Sequence, residues 1–200
     1  MKKVIVLSWC MALAAIILAV FGKLRDESLG YSIYDRPFSF YGVLSKDRLP
    51  NMEEVDEMIN NAENILEVTV GTKIRCESVP VIQSAKVNKV YKGEYIPGEE
   101  IEIISENGIK DGMNWGVTNL MEPGRDYLVV LKSESVSVER NHICLYIGPI
   151  PLQEGKRAFI DTTRAYTYEE LKGVDFFVED EESYEAVLKI RDYVFQKIEE

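Results

Sequence analysis

The chain opens on an uncharged run from Val4 to Gly22 in which Ser8 is the only conventional polar side chain. As a helix this run is about 28 Å long, close to the roughly 30 Å hydrocarbon core of a bilayer. Lys2 and Lys3 precede it, and Lys23, Arg25, Asp26 and Glu27 follow. The pattern predicts an N-terminal transmembrane helix over 1–22, with the short N-terminus held in the cytoplasm by its lysines and the rest of the chain outside. A cleaved signal peptide is the alternative. Ala12-Leu13-Ala14 has small residues at cleavage spacing, but a cut there leaves Ile16–Phe21 on the mature chain. Cleavage after Gly22 would yield a secreted protein. The flanks favour a retained single-pass anchor.

Residues 23–50 show no period. Tyr31, Tyr34, Phe38, Phe40 and Tyr41 gather around Pro37 and read as a stalk or lead-in whose aromatics pack onto the domain or sit in the membrane interface. A helical period follows: Met52, Val55, Met58, Ile59 and Ala62 behind Asn51, a suitable N-cap, with Glu53, Glu54 and Glu57 in its first turns.

At about Ile65 the period drops to two. Leu66, Val68, Val70, Thr72, Ile74 and Cys76 form one face of a long strand, with Gly71 at its middle where a bend or bulge fits. Further strands are expected over 81–91, 99–105, 126–132, 143–147 and 157–161, with a looser stretch over 109–121. Ile96-Pro97-Gly98-Glu99 and Glu122-Pro123-Gly124-Arg125 carry the type II turn signature, and each leads into a strand. The last twenty residues return to a helical period through Tyr184, Val187, Leu188, Arg191, Val194, Phe195 and Ile198, capped by Asp180 or Ser183.

Six short strands with flanking helices predict an α+β fold: an N-terminal transmembrane helix, then a small antiparallel OB-like β-barrel with flanking helices. The expected organisation is anchor 1–22, lead-in 23–50, barrel with its leading helix 51–165, and a C-terminal helical extension 166–200 packing on the barrel.

Charge narrows the partners. The net charge is −11, and beyond residue 22 the chain holds 21 bases against 34 acids. Such a surface repels phosphate backbones, so nucleic acid is excluded as a partner. The composition, 46% hydrophobic and 28% charged, is that of an ordinary globular chain.

Candidate chemistry is sparse. Cys10 lies inside the apolar run behind bulky Trp9, unlike a lipoprotein cysteine. Outside the cell, Cys76 and Cys144 are able to bridge or to remain as small buried apolar groups. His142 is the only histidine and sits among Glu139, Arg140 and Asn141, which read as a polar hairpin tip. With Cys76 and Cys144 it does not make a closely spaced zinc set. The run Glu179–Glu182 lacks the spacing of a calcium loop and suits a helix N-terminus. No phosphate loop is present. The sequence therefore names no catalytic residue, metal or cofactor. Trp115, Tyr127 and Tyr146 are the candidates for a binding face.

Four segments carry a resemblance: Ala62-Glu63-Asn64-Ile65 to Val70-Gly71-Thr72, Ala85 to Gly93, Pro97-Gly98-Glu99-Glu100-Ile101, and Pro123 to Leu131. Over about residues 60–161 the chain resembles uncharacterised exported bacterial domains with an OB-like barrel. These are similar in fold pattern to the tissue inhibitors of metalloproteinases and netrin-like modules. Those inhibitors chelate the target's zinc with a cysteine at the mature N-terminus. Here no cysteine lies between Cys10 and Cys76, so that mechanism does not carry over.

The resulting expectation is a membrane-anchored extracytoplasmic binding module without catalysis, its partner another surface protein, a peptide or an envelope component. Two alternatives stand beside it: a secreted hydrolase or metal-dependent enzyme using Asp126, Glu122 and Asp161, and a protease inhibitor by fold analogy alone.

Overall fold

A computed structural model describes residues 37–76, 80–105, 108–133 and 141–199, apart from the side chains of Cys76, Lys110 and Ser133. The expected anchor 1–22, with Cys10, lies outside the described residues, as do 23–36 of the lead-in and Glu139-Arg140. No helix among the described residues is long and apolar enough to cross a membrane.

The centre of the fold is a closed barrel of five strands. Strand β2 (Asn64–Cys76) pairs with β3 (Val81–Lys92), β3 with β4 (Glu100–Ser105), β4 with β8 (Asn141–Ile143) and β8 with β7 (Asp126–Ser133). Pairing of β7 with β2, from Asn64↔Leu131 to Thr69↔Asp126, closes the ring. The barrel is mixed, which corrects the all-antiparallel expectation: β4 and β8 run parallel, Ile103 opposite Asn141 and Ile104 opposite His142. The cause is connectivity. β7 and β8 are antiparallel neighbours, and β8 fills the gap between β4 and β7, where only a parallel match to β4 remains.

Alternation explains the core. Leu66, Val68 and Val70 of β2 meet Ala85, Val87, Ile101, Ile103, Tyr127, Val129 and Leu131 inside the barrel. Leu128 and Val130, on the other face of β7, lie under two helices. β7 is thus buried on both faces, which is why it reads as a nearly unbroken apolar run. These helices are α1 (Met52–Asn61) and α3 (Glu181–Glu199), with the one-turn α2 (Tyr168–Leu171) between them in the chain; α1 and α3 contribute Val55, Ile59, Val187, Ile190 and Val194 to this outer core. Asn51 caps α1 with a full capping box to Glu54, as the sequence predicts. Asp180 accepts from the Ser183 amide at the start of α3.

The expected bend in β2 is a bulge. Pairing jumps from Val70↔Ala85 to Ile74↔Gln83, and Gly71 lies so close to Ser84 that a side chain there would collide with it. Both type II turns form, with Gly98 and Gly124 at φ of 97° and 83° and the closing bonds Glu99 N to Ile96 O and Arg125 N to Glu122 O at 3.1 Å.

Elsewhere the strands are shorter than the pattern suggests. The strand expected over 143–147 falls earlier, as β8, and shares only Ile143 with it; 157–161 makes isolated bridges instead, with Lys156 bridging Val174 and Phe159 bridging Val178. The loose stretch holds two-residue strands β5 (Ile109–Lys110) and β6 (Met113–Asn114). β6 pairs in parallel with β1 (Ser39–Phe40). Through β1 the lead-in joins the fold: Phe38 and Phe40 pack with Ile160, Tyr166, Leu171, Val174 and Phe177 in a third core.

Candidate functional site

The three aromatic candidates part company. Tyr127 is only 3% exposed inside the barrel, where its hydroxyl accepts from the Glu122 amide at 2.9 Å and burial pushes its pKa up to about 12. It contributes to packing and not to a surface. Trp115 and Tyr146, at 45% and 42% exposure, face one cleft of about 420 Å³. That volume lies within the range of ligand pockets.

Three segments build this cleft. Ser105 ends β4. Trp115–Thr118 follow β6, tied down by Gly116 N to the Asn114 side chain at 2.8 Å and by Phe177 N to Val117 O at 2.9 Å. Residues 143–149 leave β8 and turn at Gly148, whose amide donates to Leu145 O at 2.8 Å. Gly148 has φ of 74°, and a Cβ there would stand 2.7 Å from the Thr118 side chain. Glycine is what lets the two walls meet.

Among the described residues the lining is neutral. Ser105, Trp115, Val117, Thr118, Ile143, Cys144, Leu145, Tyr146 and Pro149 supply no carboxylate, amine or guanidinium, so any ligand is held by shape, stacking and hydrogen bonds. Ser105 is 6% exposed, and its Oγ finds no partner among the described residues. A buried hydroxyl without a hydrogen bond is costly.

Tyr41 completes the rim. It is 67% exposed and stacks on Trp115, ring centroids 4.3 Å apart and planes 16° from parallel. The two amides that set this pair are Tyr41 N, bonded to Asn114 O, and Trp115 N, bonded to Gly108 O.

The Cys76–Cys144 bridge does not form. Cys144 is a free thiol, bonded through its Sγ to Val130 O at 3.5 Å. Cys76 ends β2 opposite Val81, and β3 and β4 stand between that end and β8. Burial raises the Cys144 pKa, so little thiolate exists at neutral pH. Alkylation of Cys144 by iodoacetamide at pH 7.5, followed by peptide mass spectrometry, should run at least about tenfold slower in the native chain than in urea. Equal rates would mean the thiol is open.

The carboxylates proposed for a hydrolase are engaged separately. Asp126 accepts from Thr69 Oγ1 and from Asn88 Nδ2. Asp161 accepts from the amide and hydroxyl of Thr163, which lower its pKa. Glu122 lies 3.6 Å from Arg125. His142 sits on β8 opposite Lys132 and Ile104. Among the described residues no three His, Cys, Asp or Glu side chains gather as a metal cluster. A second cleft, about 590 Å³ between α1 and the barrel, carries Lys92, Glu94, Tyr95 and Glu99. Lys92 is bonded there to Asn60 O at 2.8 Å and Tyr95 to Asn141, so this cleft is partly braced by its own side chains.

Sequence reasoning missed Ser105 and Tyr41. Ser105 reads as the last residue of an ordinary strand, and Tyr41 as one aromatic among several in the lead-in. Comparison of the chain with protein-family models and with curated proteins finds no match.

Proposed function

We propose that the chain is a membrane-tethered extracytoplasmic binding module on an OB-like barrel, and that the Trp115–Tyr146 cleft is its binding site. The observation that carries this reading is the cleft: two exposed aromatics over a lining that among the described residues is neutral, with the buried Ser105 hydroxyl unpartnered among those residues. Exposed aromatics on a fixed frame are the usual anchors of recognition. The ring order β2-β3-β4-β8-β7, with a long bulged first strand serving two neighbours, supports the OB-like description and its likeness to netrin-like modules. Tether and side of the membrane rest on Lys2, Lys3 and the apolar run Val4–Gly22. The partner class is a surface protein, a peptide or an envelope component.

The test places a photoreactive benzoylphenylalanine at Tyr146 of the full chain in intact cells, with Glu100, exposed on β4, as the control position. A discrete adduct from position 146 that is absent from position 100 and lost in Trp115→Ala is the expected result. Protease added outside the cells should digest the domain. The same adducts from both positions, or protection from the protease, would overturn the reading.

A further inference from the structure

The aromatic rim of the proposed binding cleft lies within reach of the membrane that tethers the chain. We infer that the Tyr41–Trp115 stack and Tyr146 rest in the headgroup zone of the membrane that holds the anchor, a second and weaker contact beside the span. This rests on the tethered reading above.

Three observations point there. First, the rim has the composition of an interfacial belt. Tryptophan and tyrosine partition to the boundary between lipid and water, where an apolar ring and a polar tip are both accommodated. Trp115 and Tyr146 line one cleft, Tyr41 stacks on Trp115, and all three are exposed. The stack fixes two of these rings in advance, so little side-chain freedom is lost on docking.

Second, charge selects this face. Beyond residue 22 the chain is strongly acidic, and such a surface is repelled by anionic lipid. Among the described residues the cleft lining holds no Asp, Glu, Lys or Arg. It can meet headgroups without burying a charge.

Third, the tether leads to it. The expected span ends at Gly22 and the described fold begins at Pro37. The residues between them reach at most about 50 Å. From Pro37 the chain runs directly into β1, which lies parallel to β6, and the next residue of each strand is a member of the stack, Tyr41 and Trp115. The polypeptide therefore joins the fold beside the aromatic rim. A tether of this length keeps the local concentration of membrane high, so a weak contact is enough.

Tryptophan fluorescence tests it on the full chain reconstituted in phosphatidylcholine vesicles. Trp9 and Trp115 are the only two tryptophans. Trp9→Phe leaves Trp115 as the sole reporter. Lipids brominated near the headgroup should lower its emission about twofold, as for an indole in the interface, and lipids brominated near the chain ends should lower it less. Adding Tyr41→Ser and Tyr146→Ser should relieve much of that quenching. Trp115→Phe leaves Trp9, which reports the span through the deep bromines. If Trp9 is quenched and Trp115 is untouched by either lipid, the docking inference is wrong and the anchor stands. If neither is quenched, the anchor reading falls and the inference with it.

Discussion

Arg125→Ala should cost about 3 kcal/mol of folding stability at pH 7.5, and part of that loss should return in mild acid. Arg125 grips Asp175 with its two terminal guanidinium nitrogens, at 2.8 and 3.3 Å, and donates to Gln153 O at 2.7 Å. Their side chains keep only 18% and 10% of their exposure, so solvent screens the pair weakly. Glu122 stands on the other side of the guanidinium at 3.6 Å, with its second carboxylate oxygen buried and without a partner among the described residues. One cation thus serves two carboxylates. Glycine at 155 allows the close approach, since a side chain there would run into the Asp175 carboxylate and the Gly173 carbonyl. Removing the arginine leaves both acids in a half-dry site with nothing to neutralise them, the costly way to break a buried pair.

The pH dependence follows from Asp175. Burial already holds its carboxyl above the ordinary value, outweighing the pull of Arg125. The folded state therefore binds this proton more tightly than the unfolded chain, and stability falls as pH climbs from roughly 4, where the unfolded carboxyl titrates, through the raised folded value. Without Arg125 the folded value rises further and the decline steepens. Urea unfolding at pH 5 and pH 7.5 reads this directly. The Arg125→Ala deficit should be clearly smaller at pH 5, and Asp175→Asn in the same chain should erase the difference. A deficit equal at the two pH values, or below about 1 kcal/mol at both, would show the cluster to be solvated in effect.

This cluster also shows where legibility in the sequence stops. Arg125 was readable only as the last residue of a turn, since its partner lies fifty residues away. What the chain states locally, it states well. The period-two runs of β2 and β7, the glycine at the bulge, the two Pro-Gly turns and the Asn51 cap are all in place, because each depends on neighbours within a few residues. β8 departs from the pattern in place, length and direction because its pairing is dictated by the gap between β4 and β7. Tyr127 alternates with Val129 and Leu131 and lies with them in the barrel core, a place that its aromatic character alone does not reveal. Trp115 and Tyr41 meet through β1 and β6, strands of two residues, too short to leave any period.

Phe177→Ala should cost about 3–5 kcal/mol, with the damage concentrated away from the barrel. Phe177 is fully buried and meets Phe40 edge to face, centroids 4.7 Å apart at 65°. Its backbone holds two other segments: Leu44 N donates to its carbonyl at 2.7 Å, and its own amide donates to Val117 O at 2.9 Å. One ring thus sits where the lead-in, the wall of the cleft and the segment before α3 converge. The barrel core is a separate cluster, sealed by its own strands. A cavity at Phe177 should therefore loosen the first before the second. Hydrogen exchange separates the two outcomes. The amides of Tyr41 and Leu44 should lose protection in Phe177→Ala under conditions where those of Val129 and Leu131 keep most of theirs. Uniform loss across both groups would mean that the third core and the barrel unfold as one unit. If they open separately, the position of Tyr41, and with it the aromatic rim, is set by a core that the barrel does not need.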